Sequence, residues 1–395
     1  MERKGNNTWK NWLFSLVVFL LAVKVADLVL WYLEKNEDHN VALVEGKSWR
    51  EYMADQCKED AIEWAIIQKE LLDVHYEKVV FHPYRWFVPA PSYKGKYIQT
   101  DARGFRLAPK ANCGGCSHTI GFFGGSTTFS LYSDPENTLP VLFNKGLADS
   151  IEVINYGVGA YSSTSELMCL VEVLRESNLD QVIFYDGVNE IGRFLESKQS
   201  KDFDHLSGKI GAPYSDIDIA VKNTFSLKEG YEHDEPWYGY VLKMFCPSIN
   251  RFMARSFFSQ GRETHTTPLE DAKKIVEIYR HNKMQIKALC SAYDAHPIFV
   301  WQPHLFNTAK ELSSEELAIK NFSHTAEVGL ISEELDKQIS QDPEVIMLTT
   351  VLDTLTRDPI FFDWHHLNKK GRKAVSKALV DALAIRLGNK TLNQN

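Results

Sequence analysis

Short apolar runs alternate with amphipathic stretches from residue 119 to the end of the chain. Five of the runs read as buried strands, at 120–123, 151–155, 181–185, 297–301 and 344–348. Helical periods lie between several of them and at the end of the chain. Strands that alternate with helices predict a mainly parallel five-stranded sheet with helices on both faces, which is a three-layer α/β/α sandwich.

Two stretches carry the pattern of a helix N-terminus. Ser163 and Glu166 have the spacing of a capping box, and apolar residues on one helix face follow them. Thr267 and Glu270 have the same spacing with a first-turn proline, and they predict a long helix to about Tyr293. A final helix is predicted over 370–387, so helices are expected between the strands and after them.

The other segments divide the chain into domains. Residues 34–115 read as an N-terminal attachment, with helical spacing over 60–74. An aromatic, proline-rich stretch at 81–106 predicts short strands or a hairpin. Residues 116–390 make up the main domain. Within it, the aromatic-rich stretch 195–265 is too long for a plain crossover, and it predicts either a helical insertion or a substrate-covering lid.

The first 33 residues predict a membrane anchor. Residues 12–33 form an apolar run close to the roughly 20 residues that cross a bilayer. Lys24 and Asp27 interrupt the run three positions apart, where they can pair. The basic tail 1–11 and the acidic residues after the run predict a single-pass protein with the remaining chain outside the cytoplasm. A cleaved signal peptide and an amphipathic or buried helix of a soluble protein are the alternatives.

Composition narrows the partners that the chain can have. The formal net charge of −8 over 395 residues argues against a nucleic-acid partner. Six cysteines in a chain of this length do not form a disulfide framework, and Cys113 and Cys116 are the one close pair. Zinc would need a second pair, so this pair predicts a structural loop, a small loop disulfide or a redox pair. No oligomeric state is predicted.

Polar side chains follow the predicted strands where acyl-transfer chemistry needs them. Ser126 follows a glycine pair after the first strand, the small-residue turn 155–161 follows the second, and Asn189 follows the third. Asp363 and His366 precede the last helix. A nucleophilic serine needs a base and a carboxylate that orients the base, and an oxyanion needs preorganised donors. Because ligands collect beyond the carboxyl ends of parallel strands, these groups predict an acyl-transfer site.

Four short blocks in this order resemble the SGNH/GDSL hydrolase superfamily. They read Gly124-Gly125-Ser126-Thr127, Asn155 to Tyr161, Gly187-Val188-Asn189-Glu190, and Asp363-Trp364-His365-His366. The Phe-Phe-Gly-Gly-Ser-Thr form of the first block and the predicted anchor resemble the branch of exported or membrane-anchored SGNH proteins. The resemblance covers about residues 95–390 and implies a flavodoxin-like α/β/α sandwich.

The resemblance also implies a role for each site residue. Ser126 would be the nucleophile, His366 the base, and Asp363 the carboxylate that orients the base. The implied oxyanion-hole donors are the amide of Ser126, the amide of Gly159 or Ala160, and the side chain of Asn189. The resemblance implies neither an organic cofactor nor a metal.

Three positions leave alternatives open. The family glycine of the second block falls at Ala160, whose N–H keeps its role provided that its φ is negative. Asn189 could instead cap the helix that follows it. His365 stands beside His366, and the family spacing selects His366 as the base. Asp363 and the two histidines could also bind a metal, although the sequence adds no further ligand cluster to them.

The expected function is cleavage of an ester through a Ser-His-Asp triad and an acyl-enzyme. The substrate would be an acyl or acetyl ester of a small molecule, a lipid or a carbohydrate. One alternative is a carbohydrate O-acetyltransferase that uses the same catalytic residues. The alternative from another class is a non-catalytic glycan-binding module of the cell envelope, for which an intact Ser/Asn/Asp/His set would not be required.

Overall fold

A computed structural model describes residues 21–30, 49–109, 116–199, 267–321 and 326–387, together with residues 15, 18 and 19. The chain divides into two compact units. One unit comprises Met1–Ala42 with Asp218–Glu263, and the other comprises Leu43–Ile217 with Thr264–Asn395. All of the helices and strands named below belong to the second unit.

The described part of the first unit is a helical segment over residues 21–30. Within it, the predicted pair forms, with Lys24 Nζ and Asp27 Oδ2 3.9 Å apart. None of the helices in the described ranges is both long enough and apolar enough to cross a membrane. The predicted span 12–33 extends beyond the described residues, so the anchor stays a prediction.

In chain order, the strands of the second unit are β1 (Val80–His82), β2 (Trp86–Val88), β3 (His118–Gly124), β4 (Ile151–Asn155), β5 (Gln181–Asp186), β6 (His296–Trp301) and β7 (Val345–Met347). Strands β1 and β2 pair as an antiparallel hairpin, which confirms the prediction for the aromatic stretch. The other five strands form one sheet in the order β4-β3-β5-β6-β7, and every neighbouring pair in it is parallel. The predicted five-stranded parallel sheet is therefore confirmed, and its strand order is that of flavodoxin-like folds.

The helices of the same unit are α1 (Trp49–Glu59), α2 (Trp64–Leu72), α3 (Ser126–Phe129), α4 (Leu139–Asn144), α5 (Ser163–Glu176), α6 (Val188–Gln199), α7 (Pro268–Ala292), α8 (Ser314–Lys320), α9 (Ala326–Ile339) and α10 (Lys369–Leu387). Successive side chains of a strand point to opposite faces, so Phe122 and Phe123 of β3 enter two different cores. The Phe122 core also contains buried residues of α4 and α10, and the Phe123 core contains buried residues of α5, α6, α7 and α9. Helices thus cover both faces of the sheet, as predicted.

Two predictions of helix boundaries are wrong. The spacing over 60–74 predicted one helix, but the chain breaks between α1 and α2, where Ala61 has a left-handed φ of 60°. The capping box at Ser163 does not form, because α5 begins after Ser162 and has no side-chain cap. The N–H of Ser163 donates instead to Glu190 Oε1 at 2.7 Å. The capping box of Thr267 and Glu270 is confirmed.

The predicted insertion and the close cysteine pair fall largely outside the described residues. Residues 195–199 continue α6, and the aromatic part of the stretch 195–265 is not described. Its interpretation as a helical insertion or a lid stays a prediction. Cys116 is disulfide-bonded, and Cys113 lies outside the described residues. Cys57, Cys169 and Cys290 are free thiols.

Candidate active site

Ser126 lies at the first turn after β3, an inner strand of the sheet. Its two preceding glycines are required by geometry. Gly124 has a φ of +154°, and a Cβ there would lie 2.1 Å from Thr128 Oγ1. A Cβ on Gly125 would lie 2.0 Å from Asn189 Nδ2, so glycine lets the carboxamide of Asn189 rest against the backbone next to Ser126. Because β3 is flanked by β4 and β5, this turn lies where the strand order reverses, the usual ligand position in such sheets.

Three predicted residues form one hydrogen-bonded chain. Ser126 Oγ lies 2.8 Å from His366 Nε2, and His366 Nδ1 lies 2.6 Å from Asp363 Oδ2. The other carboxylate oxygen of Asp363 accepts the backbone N–H groups of His365 and His366, at 2.9 and 2.8 Å. The Asp-x-x-His spacing explains this geometry, since the carboxylate closes a tight turn with its Oδ1 and orients the imidazole with its Oδ2. Such an arrangement lets a histidine accept the proton of a serine hydroxyl.

The charge on Asp363 is stabilised although the residue is enclosed. Burial by itself raises the pKa of a carboxyl group, but the adjacent rings of His366 and His365 and the backbone donors act more strongly together. The pKa of Asp363 therefore lies well below its usual value. The carboxylate is ionised throughout the neutral range and stabilises a proton on His366.

His365 occupies a different position from His366. Its ring packs between Trp364 and His366, with ring centroids 4.4 and 3.9 Å apart. Burial, followed by the proximity of His366, lowers the pKa of His365 to about 3. Within the described residues, the donor atoms of Asp363, His365 and His366 are close enough to bind a metal ion together. Both nitrogens of His366 are already engaged by Asp363 and Ser126, so a metal there would have to replace those hydrogen bonds.

The backbone of the second block runs beside the end of β3 and reaches the turn that contains Ser126. The N–H of Val158 donates to Gly124 O at 3.0 Å, and the N–H of Tyr161 donates to Val158 O at 3.1 Å. The second bond closes a four-residue turn in which Ala160 is the third residue, with a φ of +65°. The φ of Ala160 is therefore positive, and the condition of a negative φ at this position is not met. A left-handed φ at this position of a turn normally selects glycine, which explains why the family pattern has glycine there.

Asn189 does not act as a helix cap. Its Nδ2 crosses to the second block and donates to Tyr161 O at 2.6 Å. One hydrogen of the amide group makes this bond, and the other has no acceptor among the described residues. The same Nδ2 also lies against Gly125, the residue before Ser126. The structure therefore brings Ser126, the turn containing Gly159 and Ala160, and Asn189 to the same edge of the sheet.

Buried acidic residues lie beneath the Asn189 turn. Glu190 accepts the N–H of Ser163 at 2.7 Å and the N–H of Gly187 at 3.0 Å, and it thereby ties α5 to the turn before α6. Burial raises the pKa of Glu190, although these two donors act in the opposite direction. Burial, reinforced by the neighbouring carboxyl groups, also raises the pKa values of Glu166 and Asp186 well above normal.

The N-terminal attachment forms hydrogen bonds with the segments around the site, and the sequence motifs do not reveal them. The buried guanidinium of Arg106 donates to four carbonyl groups, including Phe129 O at 2.9 Å and Ser130 O at 2.6 Å, at the end of α3. Tyr161 donates through its hydroxyl to Phe87 O at 2.6 Å. The acceptors are backbone atoms, which have no sequence signature, so only the position of Arg106 beside a tight turn could have drawn attention to it.

An open cleft with both polar and apolar walls lies beside His366. Its lining residues are Thr127, Ser130, Leu131, Leu139, Tyr185, His366, Leu367 and Arg372. Thr127 directly follows Ser126 in the chain, so the cleft borders two members of the hydrogen-bonded chain.

Comparisons with known proteins find similarity among solved structures. No protein-family model matches the chain, and no curated protein matches it. A carbohydrate acetylesterase family member from Sinorhizobium meliloti is 14% identical over 69% of this chain and 100% of its own, with a TM-score of 0.33. An acetyl xylan esterase is 13% identical over 67% of this chain and 99% of its own, with a TM-score of 0.35.

A third similar structure is a member of the lipolytic protein G-D-S-L family from Veillonella parvula. It is 10% identical over 69% of this chain and 100% of its own, with a TM-score of 0.33.

Proposed function

We propose that the protein is a serine ester hydrolase. The observation that carries the proposal is the continuous hydrogen-bonded chain from Ser126 Oγ through His366 to Asp363. In the first step, Ser126 Oγ attacks the ester carbonyl while His366 Nε2 takes the hydroxyl proton. The tetrahedral intermediate then collapses, His366 returns the proton to the leaving alcohol, and the acyl group stays on Ser126. Water, deprotonated by His366, releases the acid in the same two stages.

The negative oxygen of the tetrahedral intermediate needs donors fixed in advance. The proposed donors are the Ser126 amide, the Gly159 or Ala160 amide and the second hydrogen of Asn189 Nδ2. We assign the acyl group to the open cleft beside His366, which has both polar and apolar walls. The ionised Asp363 stabilises the imidazolium that forms in each step. No step requires a metal or an organic cofactor.

The test is labelling and turnover by the Ser126→Ala variant. Wild-type protein should react with a fluorophosphonate probe and release free acid from short-chain p-nitrophenyl esters. The variant should lose both properties and keep the wild-type melting temperature, because the change removes one hydroxyl. Equal labelling of the two proteins would refute the nucleophile. Wild-type protein that releases the phenol but transfers the acyl group to a sugar hydroxyl would favour the acetyltransferase alternative.

We also propose that a single N-terminal span anchors the protein, with the catalytic domain outside the cytoplasm. The basic residues before residue 12 and the acidic residues after residue 33 support this orientation. The disulfide at Cys116 supports it too, because disulfides persist in oxidising compartments. Alkaline phosphatase fused after Asn395 should be active outside the inner membrane of a bacterial host. Phosphatase activity that is absent there, with the fusion protein present in the cytoplasm, would reverse the topology.

A further inference from the structure

Three side chains on the first two turns of α6 form hydrogen bonds with the backbone of the second block and of the start of α5. Asn189 donates to Tyr161 O, Glu190 accepts from the N–H of Ser163, and Arg193 Nε donates to Ala160 O at 2.9 Å. Positions 189, 190 and 193 share one side of a helix because residues three and four apart are neighbours on its surface. Two of the bonds reach the second block and the third reaches Ser163, the first residue of α5, so α6 is tied to the backbone at residues 160, 161 and 163.

Ala160 is the strained residue of the second block. Its φ of +65° is a conformation that costs a non-glycine residue about 1–2 kcal/mol. Such strain persists only where the surroundings hold it in place. Arg193 donates to the carbonyl oxygen of Ala160. This oxygen belongs to the peptide plane that follows the strained residue. The N–H of the same peptide plane, that of Tyr161, donates to Val158 O, so two hydrogen bonds fix the plane that follows Ala160.

We propose that Arg193 is a positioning residue, which keeps Ala160 in its left-handed conformation and so aims the amide of the 159–160 turn at the oxyanion. The inference rests on the proposed ester hydrolysis. Relaxation of Ala160 to a negative φ would rotate the peptide plane that precedes it, and the N–H in that plane would leave the oxyanion position. In this role Arg193 acts on the reaction through the backbone of Ala160, to which it donates.

Arg193→Met tests this role because it keeps an unbranched side chain and removes the donor. We expect kcat to fall roughly 10- to 100-fold with little change in KM, because a displaced donor weakens the transition state more than the ground state. The matched control is Arg175→Met, which removes an exposed arginine from α5 and should leave kcat at the wild-type value. A merely structural Arg193 would lower the melting temperature and leave kcat unchanged, which would overturn the proposal.

A second experiment removes the backbone strain at residue 160. Glycine adopts a positive φ without cost, so a glycine at 160 should not need Arg193 to hold the turn. In an Ala160→Gly background, Arg193→Met should therefore reduce kcat by no more than about threefold, and the double-mutant cycle should show a clear coupling between the two positions. Equal losses of kcat in the two backgrounds would refute the link between Arg193 and the conformation of Ala160.

Hydrogen exchange separates this proposal from the proposed function. Arg193→Met should speed deuterium uptake in peptides that cover residues 157–163, and Arg175→Met should not. If wild-type protein hydrolyses no ester and reacts with no fluorophosphonate, the proposed function fails, and the uptake still decides whether Arg193 holds the turn. Active wild-type protein with unchanged uptake and unchanged kcat in Arg193→Met would refute the positioning role alone.

Discussion

His365 and His366 are adjacent in sequence but face different environments. His366 bridges Ser126 and Asp363 through both ring nitrogens, whereas His365 packs its ring against Trp364. The low pKa of His365, about 3, keeps that ring neutral at physiological pH. One of the two histidines is therefore in position to exchange a proton with Ser126, and its neighbour is in position to pack.

The first prediction at this scale compares the two histidines. His366→Ala should lower kcat for a short-chain ester by roughly 10²–10⁴-fold, the usual contribution of a general acid–base group. His365→Ala should lower kcat much less and should reduce the melting temperature, because it leaves a cavity beside Trp364. Steady-state kinetics and thermal unfolding of both variants are the measurements. A larger kcat loss in His365→Ala would move the base to His365.

A second prediction concerns Asn189. Its Nδ2 donates one hydrogen to Tyr161 O and lies against Gly125, the residue before Ser126. If the second hydrogen of Nδ2 binds the oxyanion, Asn189→Ala should cost about 2.7–4 kcal/mol of transition-state stabilisation. The ratio of kcat values for the variant and the wild-type protein measures it. A loss below about tenfold would mean that Asn189 serves the loop and not the reaction.

At the scale of single residues, motif spacing correctly predicted which side chains lie close together. Ser126, Asp363 and His366 were found by motif spacing, and the structure brings them within hydrogen-bonding distance. Arg106 and Arg193 escaped notice because each acts on backbone carbonyl groups, which every residue possesses. The left-handed φ of Ala160 was also missed, since it depends on bonds from residues far along the chain.

At the scale of elements, Arg106 of the N-terminal attachment forms hydrogen bonds at the end of α3, the single helical turn that begins at Ser126. The four acceptors of Arg106 include the carbonyl groups of Phe129 and Ser130 and lie in the protein interior. Burial is the main reason that the pKa of Arg106 falls to about 9, and Arg372 nearby adds to the effect. The guanidinium remains charged at pH 7, and its bonds to the carbonyl groups replace lost solvation.

Arg106→Leu should therefore destabilise the fold. We expect the free energy of unfolding to fall by at least about 3 kcal/mol, because buried acceptors lose a charged donor. Arg103→Leu is the matched control in the same segment, since its partly exposed ion pair with Glu176 contributes about 1 kcal/mol or less. Urea unfolding of both variants measures the difference. Equal losses in the two variants would show that Arg106 does not hold α3.

The elements themselves were predictable to different degrees. The strands of the parallel sheet were found within one or two residues, because the inner strands β3, β5 and β6 are mostly buried on both faces and carry apolar runs. Helix α1 was missed, and the break before α2 was read as helix because the apolar spacing continues through it. The capping box at Ser163 failed because Glu190, 27 residues away in the chain, takes its N–H group.

At the scale of the whole molecule, stability should depend on pH through Asp336 of α9. Trp301 Nε1 donates to its carboxylate at 2.5 Å, yet burial outweighs this bond and raises the pKa of Asp336 to about 6. In the unfolded chain the ordinary pKa is 3.8. The folded state thus binds the proton more tightly, and the associated stability is complete below pH 3.8 and lost as the pH rises through 6.

Asp336→Asn should remove this dependence. At pH 7.5 the variant should be more stable than the wild-type protein by up to roughly 3 kcal/mol, the free energy of a shift of about two pKa units. At pH 4 the two proteins should differ little. Glu333→Gln, an exposed change on the same helix, serves as the control. Urea unfolding at both pH values is the measurement, and a stability difference that is the same at both would contradict the assignment.

The hydrogen bonds that build the site join distant parts of the chain. Ser126 and His366 are 240 positions apart, and the bond from the Tyr52 hydroxyl to Phe361 O spans 309. A ribosome adds Ser126 240 residues before His366, so a nascent chain carries the first residue without the second over that interval. Contacts of such sequence separation also slow folding, since long loops must close before they form. The proposed activity can therefore arise only after residue 366 has been added and has folded against the turn that contains Ser126.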